Sequence, residues 1–372
     1  MHFINADIFC ADGQFRRGDF TVENGKFSAL FSGEEDGIDL SGKKVLPGFI
    51  DVHTHGNSGC DFSDGDAEGL ARMAEYYAEN GITSFAPASM TLPYETLEKA
   101  FAAGKSQSEN RKANQARLMG INMEGPFFSE KKKGAQNGAY LKAPDFDAFR
   151  RLFEGYGGLV RIVDLAPELP GAAEFTRQAR DLCTVSVAHT DATYEEAKAV
   201  FQAGATHLTH LFNAMPPIHH RKPGVIGAAA ENDTVTAELI GDGLHVHESV
   251  IRMAFKLFPG RICLISDSLR CCGMPDGEYE LGGQTVYLKD GSARLADGTI
   301  AGSSANLFEC FQRVLSFGIA PEAAIAACTS VPAREIGREA EIGSIEIGKY
   351  ADFLVCDADY SLCGVYVGGE KI

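Results

Sequence analysis

From about residue 49 the chain alternates short runs of apolar and β-branched residues with longer segments whose apolar positions recur every three to four residues. The runs read FIDVH, ITSFAPAS, RLMGINME, LVRIVDLAP, VSVAH, HLTHLF, VTAELIGD and ICLISD. Most are separated by amphipathic helical stretches such as DAEGLARMAEYYAENG and TYEEAKAVFQAG, the latter closing on a glycine suited to a helix C-terminus. Eight nearly continuous apolar strands with intervening helices predict an α/β fold in which a closed parallel (β/α)8 barrel of the TIM type is favoured. A doubly wound open sheet gives the same alternation, but no G-x-G-x-x-G follows the first strand.

The ends are patterned differently. Residues 1–48 carry short alternating stretches with the turn signals ADGQ, ENGK and SGEEDG, and the tail IGSIEIGKYADFLVCD has the same character. The expected organisation is therefore a small β-sandwich domain built from 1–48 and 342–372, beside a barrel spanning 49–341. Within the barrel, DGEYELGGQTVYLKDGSARLADGT predicts an insertion of one or two β-hairpins at about 276–300.

The chain has 372 residues, 45% hydrophobic and 23% charged, enough for a large core. A formal net charge of -17 argues against nucleic acid or an anionic membrane surface as partner, so any bound phosphate needs a local basic cluster. The start, MHFINADIFCADGQF, lacks a basic segment followed by a long apolar run, and no stretch approaches the roughly 20 apolar residues of a membrane helix. Ten scattered cysteines without C-x-x-C spacing fit reduced thiols and a cytoplasmic location.

In such a barrel the active site gathers at the C-terminal ends of the strands. Those ends carry His53 and His55 after the first strand, Glu124 after the third, His189 after the fifth, His210 after the sixth and Asp267 after the eighth. By strand parity His53 and His55 share a face, whereas His207 points away from His210 and is read as structural, in the barrel–helix layer. A single histidine at a strand end is usually just a hydrogen-bonded polar residue. Four imidazoles and two carboxylates on one rim, from five strands, instead suit a divalent cation: Zn2+ first, with Fe2+ or another divalent ion as alternatives.

The motifs PGFIDVHTHG, MEGPF, KKGAQN, VAHTDA, THLTHLFNAMPP, HHRKPG, GDGLHVH, ISDS, GTIAGSS and GSIEIGKYADF run through essentially the whole chain. With them the sequence resembles the amidohydrolase superfamily and, within it, the N-acetylglucosamine-6-phosphate deacetylases. The resemblance implies a metal-dependent hydrolysis of N-acetylglucosamine 6-phosphate in amino-sugar metabolism. It also implies a principal metal site of Glu124, His189 and His210, with Asp267 as the acid–base residue. His53 and His55 stand where some members complete a second metal site, giving one or two metals per subunit.

The substrate's phosphate calls for a planar cation such as Arg221, with Asn213 and Ala214 as further donors and His245 on a sugar hydroxyl. In relatives the phosphate pocket can draw on a neighbouring subunit, which implies a homodimer or a dimer-based tetramer. This sequence departs from some members by carrying Gln136 where they place a histidine that polarises the acetyl carbonyl. Two other activities compete. The nearer is deacetylation of the 4-epimer, N-acetylgalactosamine 6-phosphate. The farther is a cyclic-amide hydrolase of the same superfamily, which commonly needs a lysine on the fourth strand; LVRIVDLAPE has none.

Overall fold

The structure is a computed structural model that describes residues 1–372. Eight parallel strands form its centre: β1 (Phe49–Asp51), β2 (Ile82–Phe85), β3 (Ile121–Phe127, with the lead-in Arg117–Leu118), β4 (Val160–Leu165), β5 (Thr184–Val187), β6 (His207–Leu208), β7 (Thr236–Ile240) and β8 (Ile262–Ile265). Strands β3 to β8 pair consecutively, and β1 pairs with β2, which pairs with the lead-in to β3. The ring closes where the Asp267 N–H donates to the His53 carbonyl at 3.0 Å and the His55 N–H donates to the Ser268 carbonyl at 2.8 Å. The last strand's C-terminal end is thereby locked to the first.

Helices cover the outside because their apolar faces recur at helical spacing. In Ala67–Glu79, Leu70, Met73, Ala74, Tyr77 and Ala78 are buried, and Asp66 caps the start by accepting from the Glu68 and Gly69 N–H groups. Tyr194–Ala203 begins with a capping box between Thr193 and Glu196 and ends at Gly204. No helix is long and apolar enough to cross a membrane.

Both chain ends contribute to one further sheet. His2–Phe9, Phe15–Glu23, Lys26–Leu30, Ile38–Asp39 and Lys44–Pro47 join Phe353–Cys356, Leu362–Val367 and Glu370–Lys371 in eight strands. Phe3, Phe20, Phe27, Phe353 and Tyr366 form its aromatic core. Arg117 ties this sheet to the barrel through a two-pronged pair with buried Asp352, Nε to Oδ2 at 2.8 Å. After β8, Gly277–Leu281, Gln284–Lys289, Ser292–Leu295 and Ile300–Ser303 make a four-stranded antiparallel meander. It leans over the C-terminal mouth, where Gln284 donates to the Ala135 carbonyl at 2.6 Å.

His207 is not in the barrel–helix layer. It is fully buried inside the barrel, between Glu238 of β7 and Glu335 near the floor. The parity argument fails because β6 ends at Leu208, so the turn that follows, and not the strand, aims His210.

Candidate metal centre

His53 and His55 also lie beyond their strand, because β1 stops at Asp51. Their rings converge through the turn, with centroids 5.5 Å apart, and both Nε2 atoms face Glu124. Glu124 sits within β3, where the next residue must be glycine: Gly125 has φ +86°, and a Cβ there would collide with Thr91 Oγ1. His189 and His210 follow β5 and β6 and present their Nε2 atoms 3.1 Å from each other. Those atoms are 3.1 and 3.4 Å from Glu124 Oε1, while His55 Nε2 is 3.4 Å from Oε2. The carboxylate is thus shared by two groups, His53–His55–Glu124 and Glu124–His189–His210, all buried.

The ring orientations are set from behind. His53 Nδ1 pairs with Glu238 Oε2 at 2.9 Å, His55 Nδ1 with the Ala88 carbonyl at 3.2 Å, and His189 Nδ1 with the Lys132 carbonyl at 2.9 Å. Each Nδ1 facing an acceptor carries the proton and leaves Nε2 free to coordinate. His53 Nε2 is buried without any hydrogen-bond partner, the kind of orphan that a cation satisfies. Four imidazoles around one carboxylate therefore fit a divalent ion of the zinc or iron(II) class.

The electrostatics agree. Burial alone raises the Glu124 carboxyl, but His189, His210 and His53 outweigh it and hold the group well below its ordinary range. Burial opposes charge on His53 and His55 too. Glu238 and Glu124 reverse this at His53, and Asp267 with Glu124 at His55. The region is built to hold positive charge.

A cavity of about 330 Å³ opens above these groups and is lined by His55, Glu124, Gln136, His189, His210, Asn213, Ala214, His245 and Asp267. Asp267 Oδ1 stands 3.4 Å from His55 Nε2 and 3.7 Å from His53 Nε2. Burial raises Asp267, but His55, His53 and His210 more than offset it, so the carboxyl stays below its usual value and is ionised at neutral pH. His245 Nδ1 is held by Asp242 Oδ2 at 2.7 Å, which fixes the ring at the edge of the cavity.

Two expected residues behave differently. Gln136 borders the cavity, but both ends of its amide are engaged: Nε2 donates to Glu124 Oε2 and Oε1 accepts from the Thr91 N–H, each at 2.7 Å. It clamps the shared carboxylate. Arg221 is exposed on its loop, its guanidinium 2.6 Å from His220, and it does not border the cavity of its own chain. Glu238 and Asp242 were not identified from the sequence. Lys131 and Lys132 also line the cavity; their signal was the KKK run.

The amidohydrolase family pattern matches residues 44–371. The chain is 38% identical over 321 residues to the N-acetylglucosamine-6-phosphate deacetylase of Bacillus subtilis (strain 168), covering 85% of this chain and 81% of that protein. It is 32% identical over 328 residues to the N-acetylgalactosamine-6-phosphate deacetylase of Escherichia coli O157:H7, covering 88% and 87%. A solved structure of a variant Mycobacterium smegmatis N-acetyl-D-glucosamine-6-phosphate deacetylase, bound to N-acetyl-D-glucosamine 6-phosphate, superposes with a TM-score of 0.93 at 31% identity, covering all of this chain and 98% of that one. A shared carboxylate within four imidazoles at a barrel mouth, together with likeness of this extent, shows that the chain belongs to the amidohydrolase family, among the N-acetylglucosamine-6-phosphate deacetylases.

Proposed function

We propose that this protein hydrolyses N-acetyl-D-glucosamine 6-phosphate to D-glucosamine 6-phosphate and acetate. The observation that carries the reading is the buried Glu124 cluster with an ionised Asp267 at its edge, facing one cavity. When bound, a divalent cation supplies an acidified water and a Lewis acid beside the acetyl carbonyl. Asp267 takes a proton from the attacking water and delivers it to the departing nitrogen, so the C–N bond breaks with oxygen retained on acetate. Glu124, His189, His210, His53 and His55 would hold one or two divalent ions per chain, of which Zn2+ is the first candidate. His245 and the loop of Asn213 and Ala214, which border the same cavity, hold the sugar and its phosphate.

Arg221 belongs to the same proposal through a second copy of the chain. Its loop exposes Ile218 beside Met253 and Leu257, an apolar surface that pairing would bury. A homodimer then places one protomer's Arg221 at its partner's phosphate pocket. A cytoplasmic location fits the predominantly buried, unpaired thiols.

The test is acetate release by the metal-loaded protein from both 4-epimers, N-acetylglucosamine 6-phosphate and N-acetylgalactosamine 6-phosphate. A higher kcat/KM for the gluco sugar supports the proposal. Preference for the galacto epimer assigns the second reading, which the Escherichia coli relative favours. No acetate from either overturns both.

A further inference from the structure

Beneath the metal ligands the barrel axis holds a line of buried ionisable groups. Glu238 of β7 is fully buried. Its Oε2 accepts from His53 Nδ1 at 2.9 Å and from the His210 backbone N–H at 3.1 Å, so one oxygen fixes a residue from each half of the metal centre. Its Oε1 lies 3.1 Å from His207 Nε2, at an angle too oblique for a straight hydrogen bond. His207 Nδ1 is 3.0 Å from Glu335 Oε2, and Glu335 Oε1 accepts from Thr236 Oγ1 at 2.8 Å near the barrel floor. Imidazole and carboxylate alternate from His53 to the floor.

A lone buried carboxylate costs several kcal/mol, so Glu238 is tenable as an anion only with such partners. Nearby Asp164 shows the alternative. Neither of its oxygens is hydrogen-bonded, and burial followed by repulsion from Glu238 drives it well above the ordinary range, towards its neutral form.

Glu238 also sets His53 apart from the other ligands. His55 and His189 lean on backbone carbonyls, and His210 Nδ1 has no partner. A carboxylate behind a ligating histidine fixes its tautomer and raises its basicity, and removing such a partner commonly lowers metal affinity about 10–100-fold.

We propose that Glu238 is a positioning residue for the His53–His55 half of the metal centre. His207 and Glu335 brace it from below, and this buried line determines how firmly a second metal is held. The inference rests on the two-metal reading of the site.

The test uses the full chain reconstituted with Zn2+. Metal per chain is counted after gel filtration, and each affinity is measured by competition with a chromophoric chelator. Wild type is expected to bind two equivalents. Glu238→Gln, which keeps the shape and removes the charge, is expected to retain the tighter equivalent and to bind the other about 10–100-fold more weakly. Glu335→Gln should shift the same equivalent in the same direction by less.

One equivalent in wild type would sink the two-metal reading itself. Two equivalents in wild type and in Glu238→Gln at equal affinities would overturn the role of Glu238 alone. If Glu238→Gln does not fold, Glu335→Gln decides: selective weakening of one equivalent sustains the proposal, and equal effects on both, or none, refute it.

Discussion

Replacing Asp267 by asparagine separates proton transfer from metal binding. Asparagine is nearly isosteric and can still meet His55 Nε2, which Asp267 Oδ1 approaches to 3.4 Å. Its backbone place is independent of the side chain, because its N–H donates to the His53 carbonyl at 3.0 Å and its carbonyl accepts from Ser303 at 2.8 Å. What disappears is a base that its histidine neighbours keep ionised. The only other carboxylate lining the cavity is Glu124, which is surrounded by imidazoles, and His245, which also lines it, is tied to Asp242. No ready substitute exists.

Losing a positioned acid–base group costs about 10²–10⁴ in rate. At 1.36 kcal/mol per tenfold, the barrier rises by about 3–5 kcal/mol. The assay is acetate release at saturating substrate, with metal per chain measured on the same sample. Turnover within tenfold of wild type, at wild-type metal content, would refute the assignment and direct attention to His245.

Three further outcomes are expected. Gln136→Ala removes the 2.7 Å bond to Glu124 and strands the Thr91 N–H, so metal-free stability should fall by about 2–4 kcal/mol in chemical denaturation; unchanged stability would show that the clamp is idle. Arg221→Ala should raise KM for the phosphorylated sugar about 10-fold or more and leave kcat and the unphosphorylated sugar unaffected, as befits loss of one charge-assisted phosphate contact. Equal KM values with and without Arg221 would remove it from the phosphate pocket. His207 supplies a pH test. Burial lowers it, but Glu238 and Glu335 more than compensate and push it up to about 10. Its stabilisation is complete below the unfolded value near 6.5, where both states are protonated, and is lost as pH rises towards 10, where the folded state still holds a proton that the unfolded chain has released. The slope is at most about 1.4 kcal/mol per pH unit, and denaturation of His207→Gln between pH 7 and 9 should lack it. An identical slope in the variant would place the titration elsewhere.

The barrel is legible because its strands are short, apolar and regularly separated by helices, so local pattern and global fold agree. The rim residues are legible as a set because strand ends in a barrel meet whatever their sequence distance. Their detailed aim is not legible. Alternation predicted that His53 and His55 share a strand face, yet β1 has already ended at Asp51. The same rule misplaced His207, because β6 is only His207–Leu208. Partners across the barrel are hidden for another reason. Glu238 lies 185 residues from His53 and reads as one polar interruption in an apolar strand, without any local signal that a histidine awaits it. The engagement of Gln136 is equally invisible, since its spacing from Glu124 gives no indication that both ends of its amide are taken.

The backbone shows why alternation had to fail at the rim. His189, His210 and Asp267 have φ of +42°, +29° and +50°, in or near the left-handed region that residues bearing a Cβ avoid at a cost of roughly 1–2 kcal/mol each. Each follows a barrel strand closely, and each is a proposed ligand or acid–base residue. Continued β geometry would direct successive side chains alternately into and out of the barrel. A left-handed residue breaks that alternation where the chain must turn its side chain into the mouth. The cost is offset locally: the His189 carbonyl accepts from Ser129, the His210 N–H donates to Glu238, and the Asp267 N–H donates to His53. Glycine or asparagine would adopt this conformation more easily, but neither could serve as metal ligand or proton carrier in these places. Strain borne by three functional residues, each held by bonds from distant segments of the chain, is what a site selected for chemistry over local propensity looks like.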